Sequence, residues 1–115
     1  GLSALSRSPM GELLAQPELC ALVEHSIDEG IAVGKAMKYK PPNELKARMW
    51  AFYEGLPAET TASMTRDILA GKASELDAWN GAIVRFGRED NVATPVHEFT
   101  YHTLLPMERR ARTNR

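Results

Sequence analysis

A chain of 115 residues, 43% hydrophobic and 25% charged, has the make-up of one ordinary globular domain and is too short for a two-domain enzyme. Fourteen basic against fifteen acidic residues leave a net charge of -1, so no global field draws the chain to nucleic acid or an anionic membrane. A domain this long buries about two-thirds of its unfolded surface, which removes the need for metal or disulfide staples. The lone cysteine, Cys20, has no internal partner. With no apolar run of membrane length and no leader-like pattern, a reducing, cytoplasmic setting is the default expectation.

Apolar residues recur at helical spacing throughout, and no stretch alternates as a strand would, so the reading is all-α. The first long helix is expected from Pro17 to about Met37, with Leu19, Leu22, Val23, Ile27, Ile31 and Gly34 on one face. Within it Gly30 and Gly34 make a G-x-x-x-G spacing, read as permitting close helix packing. Paired prolines at Pro41 and Pro42 break this helix. A second helix is expected from about Asn43 to Tyr53, burying Leu45, Met49 and Phe52. After a loop from Gly55 to Glu59, Thr60 or Thr61 caps a short helix that Gly71 ends.

Ser74 then caps the next helix, with Asp77 as its capping-box partner. The apolar stripe there is Leu76, Trp79, Asn80, Ile83, Val84 and Gly87, and Asn91 is a left-handed stop. Thr94-Pro95 opens the last helix, whose face is Val96, Phe99, Thr100, Thr103 and Leu104, until Pro106 kinks or ends it. The basic tail holding Arg109, Arg110, Arg112 and Arg115 reads as a solvated, frayed end.

Few residues carry chemistry by pattern alone. His25, His97 and His102 lack ligand spacing, so no metal site is expected, and the histidines read as surface or cap residues. Cys20 reads as a small buried hydrophobe. Neither a dinucleotide glycine fingerprint nor a Walker loop occurs. Asn80, an amide on an apolar stripe, must find partners; it either ties two helices together or lines a polar cleft. Glu75 sits where a helix start favours a carboxylate.

The string Ser63-Met64-x-x-Asp67-Ile68, then Gly71, then Ser74-Glu75-Leu76-Asp77-x-x-Asn80-Gly81, then Val84-Arg85, Gly87 and Thr94-Pro95-Val96 resembles the C-terminal domain of the ketopantoate reductases, the NADP-dependent 2-dehydropantoate 2-reductase family. Leu2 to Leu5 and Gly11-Glu12-Leu13 match more loosely, so the resemblance spans essentially the whole chain. It implies an all-α bundle of the 6-phosphogluconate dehydrogenase C-terminal type, 1–115 forming one substrate-binding domain. The parent enzyme would carry an N-terminal Rossmann domain, absent from this chain, that holds NADP(H) and helps reduce a 2-oxo acid for pantothenate biosynthesis. By the same resemblance Ser63 and Glu75 are substrate-binding candidates. A hydroxyl can donate to the substrate carboxylate, and a fixed carboxylate can accept from a substrate hydroxyl. Asp67 and Asn80 match family positions and read as helix-tying.

Departures accompany the match. The family's general-acid lysine lies upstream of Leu2, so no catalytic residue is expected here and the isolated chain is expected to be inactive. Thr60 and Met10 stand where the family has asparagines. Gly1, placed in what resembles the end of a family helix, suggests a piece of a longer protein, with Gly1 as a tag remnant. Two other classes compete. A stand-alone helical interaction module of the same fold would expose an apolar docking face, which leaves a homodimer open. A helix-turn-helix DNA binder is disfavoured by Glu75, Asp77, Glu89 and Asp90 on the second helix.

Overall fold

Local punctuation sets the helix ends. In the computed structural model, which describes residues 2–113, the helices are α1 (Leu2–Ser6), α2 (Met10–Ala15), α3 (Pro17–Ala36), α4 (Leu45–Gly55), α5 (Ser63–Leu69), α6 (Ala82–Glu89) and α7 (Pro95–Thr113). A π-turn over Asp77–Gly81 leads directly into α6. No strand occurs among the described residues. Pro17 and Pro95 open α3 and α7, where a missing N–H costs nothing. Gly71 (φ 70°) and Asn91 (φ 57°) take the left-handed stops expected of them. Lys38 does the same at φ 68°, its neighbour Tyr39 N–H closing onto the Gly34 carbonyl at 3.0 Å.

Several expectations are corrected. Neither Thr60 nor Thr61 caps α5: Ala62 holds the cap position, and Thr61 instead accepts the Arg66 guanidinium at its carbonyl (2.7 Å) and hydroxyl (3.0 Å). Ser74 does accept the Leu76 N–H at 3.2 Å, but Asp77 turns away to Arg85 and Tyr101. α4 buries no residue fully. Its main neighbour is α3, so Phe52, on the outer side, is 64% exposed.

Pro106 neither ends α7 nor prevents its continuation to Thr113, because Leu104 and Glu108 on either side are buried and hold the helix in place. Arg109 to Arg112 are therefore helical rather than frayed, while Gly1 and Arg115 lie outside the described residues. Gly30 and Gly34 do not mediate close packing either, since a Cβ at either would meet nothing within 4 Å.

Extents of 42 × 34 × 20 Å make the molecule about two helix diameters thick. The core gathers Ala4 of α1, Ile68 of α5, Leu76 and Leu104 of α7, with Met64, Tyr101 and Met107 against them. α3 crosses behind, packed on α2, α6 and α7, and buries Val23, Ile27 and Val33. At the rim, Gly11 N–H donates to the Ala58 carbonyl at 2.8 Å. A Cβ on Gly11 would come within 2.5 Å of Ala58 Cβ, so only glycine fits there.

Candidate functional site

α3, α4, α5, the π-turn and α7 surround a cavity of about 850 Å³. Its walls are mostly apolar: Ile27 and Ile31 of α3, Leu45, Met49 and Tyr53 of α4, and Trp79. Gly30 and Gly34 are part of this lining, so the bare backbone on that face widens the hollow. A few polar groups interrupt the apolar wall, among them Ser63, Glu75, Asn80 and His97. An apolar enclosure with sparse polar points is the usual form of a small-molecule site.

Ser63 opens α5 with its side chain exposed on the lining. Glu75 sits at the start of the π-turn helix, where its Oε2 accepts the Trp79 Nε1–H at 2.8 Å. That bond holds a tryptophan of the lining that is 63% exposed and fixes one carboxylate oxygen. Asn80 is buried in the same lining, and its side chain makes no hydrogen bond among the described residues. Thr60 and Asp67 lie outside the lining. The Thr60 carbonyl accepts Met10 N–H at 3.0 Å, and the Asp67 carbonyl accepts Lys72 N–H at 2.8 Å where the chain turns at Gly71.

Two buried acids place these elements. Glu108 of α7, 3% exposed, accepts the Ser74 N–H at 2.9 Å and the Ser74 hydroxyl at 2.7 Å. Arg112 donates from Nε to Glu108 at 3.1 Å and from Nη2 to the Ser74 carbonyl at 3.1 Å. Every polar group of Ser74 is thus engaged, one residue before Glu75. Glu29 of α3 accepts Val96 N–H at 2.8 Å and His97 N–H at 2.9 Å, and faces His97 Nδ1 at 2.8 Å. It satisfies the open N–H groups at the start of α7.

Sequence reasoning missed both acids. Their signal was present: Glu29 lies four residues before Val33, and Glu108 four after Leu104, each on a buried stripe where an ionised group must be paired.

A third polar cluster braces the π-turn. Asp77 Oδ1 accepts the Tyr101 hydroxyl at 2.6 Å and Arg85 Nη1 at 3.1 Å. The Tyr101 hydroxyl bond, followed by the Arg85 charge, holds the Asp77 carboxyl below its ordinary range, and the Asp77 carboxylate raises the Tyr101 phenol. A Cβ on Gly81 would reach Tyr101 Cε1 at 2.9 Å and Asp77 Oδ1 at 3.0 Å. The absence of a side chain there is what lets the cluster close over the turn.

Cys20 is half-buried. His25 and His102 are exposed, whereas His97 is held by Glu29. Among the described residues no three His, Cys, Asp or Glu side chains gather as metal ligands. No described helix is long and apolar enough to cross a membrane. A nicotinamide dinucleotide is normally cradled where a strand runs through a glycine-rich turn into a helix, and the described residues form no such unit. The residues present do not fit that cofactor.

The chain matches the family model described as ketopantoate reductase PanE/ApbA C terminal over residues 1–108. It is 37% identical over 105 residues to the 2-dehydropantoate 2-reductase of Aquifex aeolicus, an alignment covering 85% of this chain and 33% of the relative. The enzyme of that name from Caulobacter vibrioides is 36% identical over 97 residues, covering 84% of this chain and 33% of the relative. Among solved structures, a dimeric ketopantoate reductase from Staphylococcus aureus superposes with a TM-score of 0.88 at 26% identity, covering 96% of this chain and 38% of that one. A PanE/ApbA family ketopantoate reductase from Ralstonia eutropha JMP134 gives 0.86 at 27% identity, covering 96% and 37%. The chain spans about a third of the length of the curated relatives it matches.

Proposed function

Because the chain belongs to the ketopantoate reductase family, as its C-terminal domain, we propose that it binds the substrate in an enzyme that reduces 2-dehydropantoate, or a similar 2-oxo acid, to the 2-hydroxy acid with NADPH in the cytoplasm. The observation that carries this reading is that Ser63 and Glu75, twelve residues apart and on different elements, line one cavity together with Asn80. The alternative of a stand-alone interaction module gives no reason for polar groups to converge inside an apolar hollow. The nucleotide, which would supply the reducing equivalent, would be held by a preceding Rossmann domain and not by this chain's residues.

This chain's share is binding and orientation. The Ser63 hydroxyl donates to the substrate carboxylate. Glu75, one oxygen fixed by Trp79, accepts a substrate hydroxyl with the other. Trp79 and the α4 side chains exclude water around the hydrocarbon part. The proton for the new hydroxyl comes from a lysine upstream of Leu2. Exposed apolar side chains such as Leu22 and Phe99 suit contact with the rest of the protein or with a second subunit.

The test is kinetic. The isolated chain, mixed with NADPH and 2-dehydropantoate, should leave the nicotinamide absorbance unchanged, while the full-length protein consumes it. In the full-length protein Ser63→Ala and Glu75→Gln should each lower kcat/KM by roughly 10- to 100-fold, the scale of one hydrogen bond to a charged group. Wild-type kinetics in both variants, or turnover by the isolated chain, would refute the reading.

A further inference from the structure

His97 is assigned no role by the family match, yet its setting is that of a working histidine. His97 belongs to the cavity lining, and its side chain is only 14% exposed. Glu29 is shielded as well, and each of its two carboxylate oxygens accepts a backbone N–H of α7, from Val96 at 2.8 Å and from His97 at 2.9 Å. A group that accepts through both oxygens acts as a carboxylate, so His97 Nδ1, 2.8 Å from Oε1, must be the donor of that contact. This fixes the tautomer and the ring plane. Nε2 is then the one ring nitrogen left for a ligand, and in the neutral ring it is an acceptor.

The pairing does more than close a helix end. Glu29 already satisfies the α7 amides through the backbone of Val96 and His97, so the cap would stand with any side chain at position 97. The side chain of a cavity-lining residue is thus held by a second contact to the same carboxylate, beside the hollow.

We propose that His97, held by Glu29, is a ligand-recognition residue of the cavity, accepting at Nε2 a hydrogen bond from a hydroxyl of the bound hydroxy or oxo acid. This rests on the substrate-binding reading given above and adds to it a second acceptor beside Glu75. A ligand with two hydroxyls can engage both acceptors, whereas a simple 2-oxo acid lacking hydroxyls can engage neither. The cavity is thereby selective for hydroxylated acids.

The experiment titrates the full-length protein with pantoate, a 2-hydroxy acid bearing a second hydroxyl, while NMR follows the Ser63 and Glu75 amides and the His97 ring nitrogens. The companion variant is His97→Asn. Its amide nitrogen falls near the Nδ1 position and can keep the contact with Glu29, but it has nothing in place of Nε2. The expected result is that His97 Nε2 shifts with the same midpoint as the two amides, and that His97→Asn weakens binding by about three- to tenfold, the scale of one neutral hydrogen bond, at an unchanged unfolding midpoint.

If the amides shift but Nε2 does not, and His97→Asn binds like the wild type, this inference falls and the substrate-binding reading stands. If neither the amides nor Nε2 respond, both fall.

Discussion

Removing the Glu108 carboxylate tests whether the turn that carries Glu75 is held from α7. In Glu108→Ala the Ser74 N–H and hydroxyl, both in a buried residue, lose their acceptor, and Arg112 loses its partner. The two bonds from Ser74 are charge-assisted and contribute about 1.5 to 3 kcal/mol each. Arg112, whose side chain is half-exposed, contributes at most about 1 kcal/mol. The expected loss is about 4 kcal/mol, a large share of the roughly 5 to 15 kcal/mol that holds a domain together. At a chain length near 100 residues this lowers Tm by roughly 15 °C.

Urea unfolding followed by circular dichroism on the wild type, Glu108→Ala, Glu108→Gln and Arg112→Ala gives the ranking. Glu108→Gln keeps one accepting oxygen but turns an amide NH2 toward a donor, so it should fall between Glu108→Ala and the wild type. Arg112→Ala should cost about 1 kcal/mol or less. A loss below about 1.5 kcal/mol in Glu108→Ala, less than one charged bond, would refute the reasoning. So would an Arg112→Ala variant as unstable as Glu108→Ala, because the energy would then lie in the ion pair and not in the grip on Ser74.

Gly11→Ala should destabilise by about 1 to 3 kcal/mol, because its Cβ meets the Ala58 backbone within 2.7 Å; an unchanged urea midpoint would show that the loop simply moves aside. Tyr101→Phe bears on pH dependence. The lowered Asp77 carboxyl contributes stability that is present above its unfolded pKa and lost as pH falls below about 4. The raised Tyr101 phenol contributes stability that is present below its unfolded pKa and lost as pH rises above about 10. Both terms are under about 1 kcal/mol, because Asp77 and Arg85 are more than half-exposed, and Tyr101→Phe should flatten both limbs of the stability–pH curve. Gly30→Leu should stabilise the fold by up to about 1 kcal/mol, because glycine is a poor helix former in the interior of α3 and its Cβ meets nothing, while filling the cavity and abolishing pantoate-induced NMR shifts.

What the sequence made legible is what the chain encodes within a few residues. Pro17, Gly71, Asn91 and Pro95 do what their backbone chemistry dictates, and the order of helices follows. The motif residues Ser63 and Glu75 were legible through resemblance, and a common cavity lining brings them together.

What escaped depends on partners far along the chain. Glu29 meets His97 from 68 residues away, and Glu108 meets Ser74 from 34; neither pairing has a local periodicity. Helical spacing also cannot tell a core face from a cavity face. Ile31 and Gly34 share the apolar spacing of Val23 and Ile27 and all four border the hollow, but only Val23 and Ile27 are also buried. Pro106 reads locally as a breaker, and only the burial of Leu104 and Glu108 explains why α7 runs past it.

The wide turn over Asp77–Gly81 has a consequence for how this helix tolerates change in length. A π-turn holds one residue more than an α-turn, so the segment that enters it at Ser74 and the helix after it are turned by about 100° relative to a continuous α-helix. The earlier part takes its angle from Ser74 and Glu108, the later part from buried Val84 and Gly87. Removing one residue from the turn would give an unbroken α-helix of good geometry whose two ends could no longer satisfy both anchors. The turn is a phase adjuster, and it sets the direction in which Glu75 points independently of how α6 sits in the core.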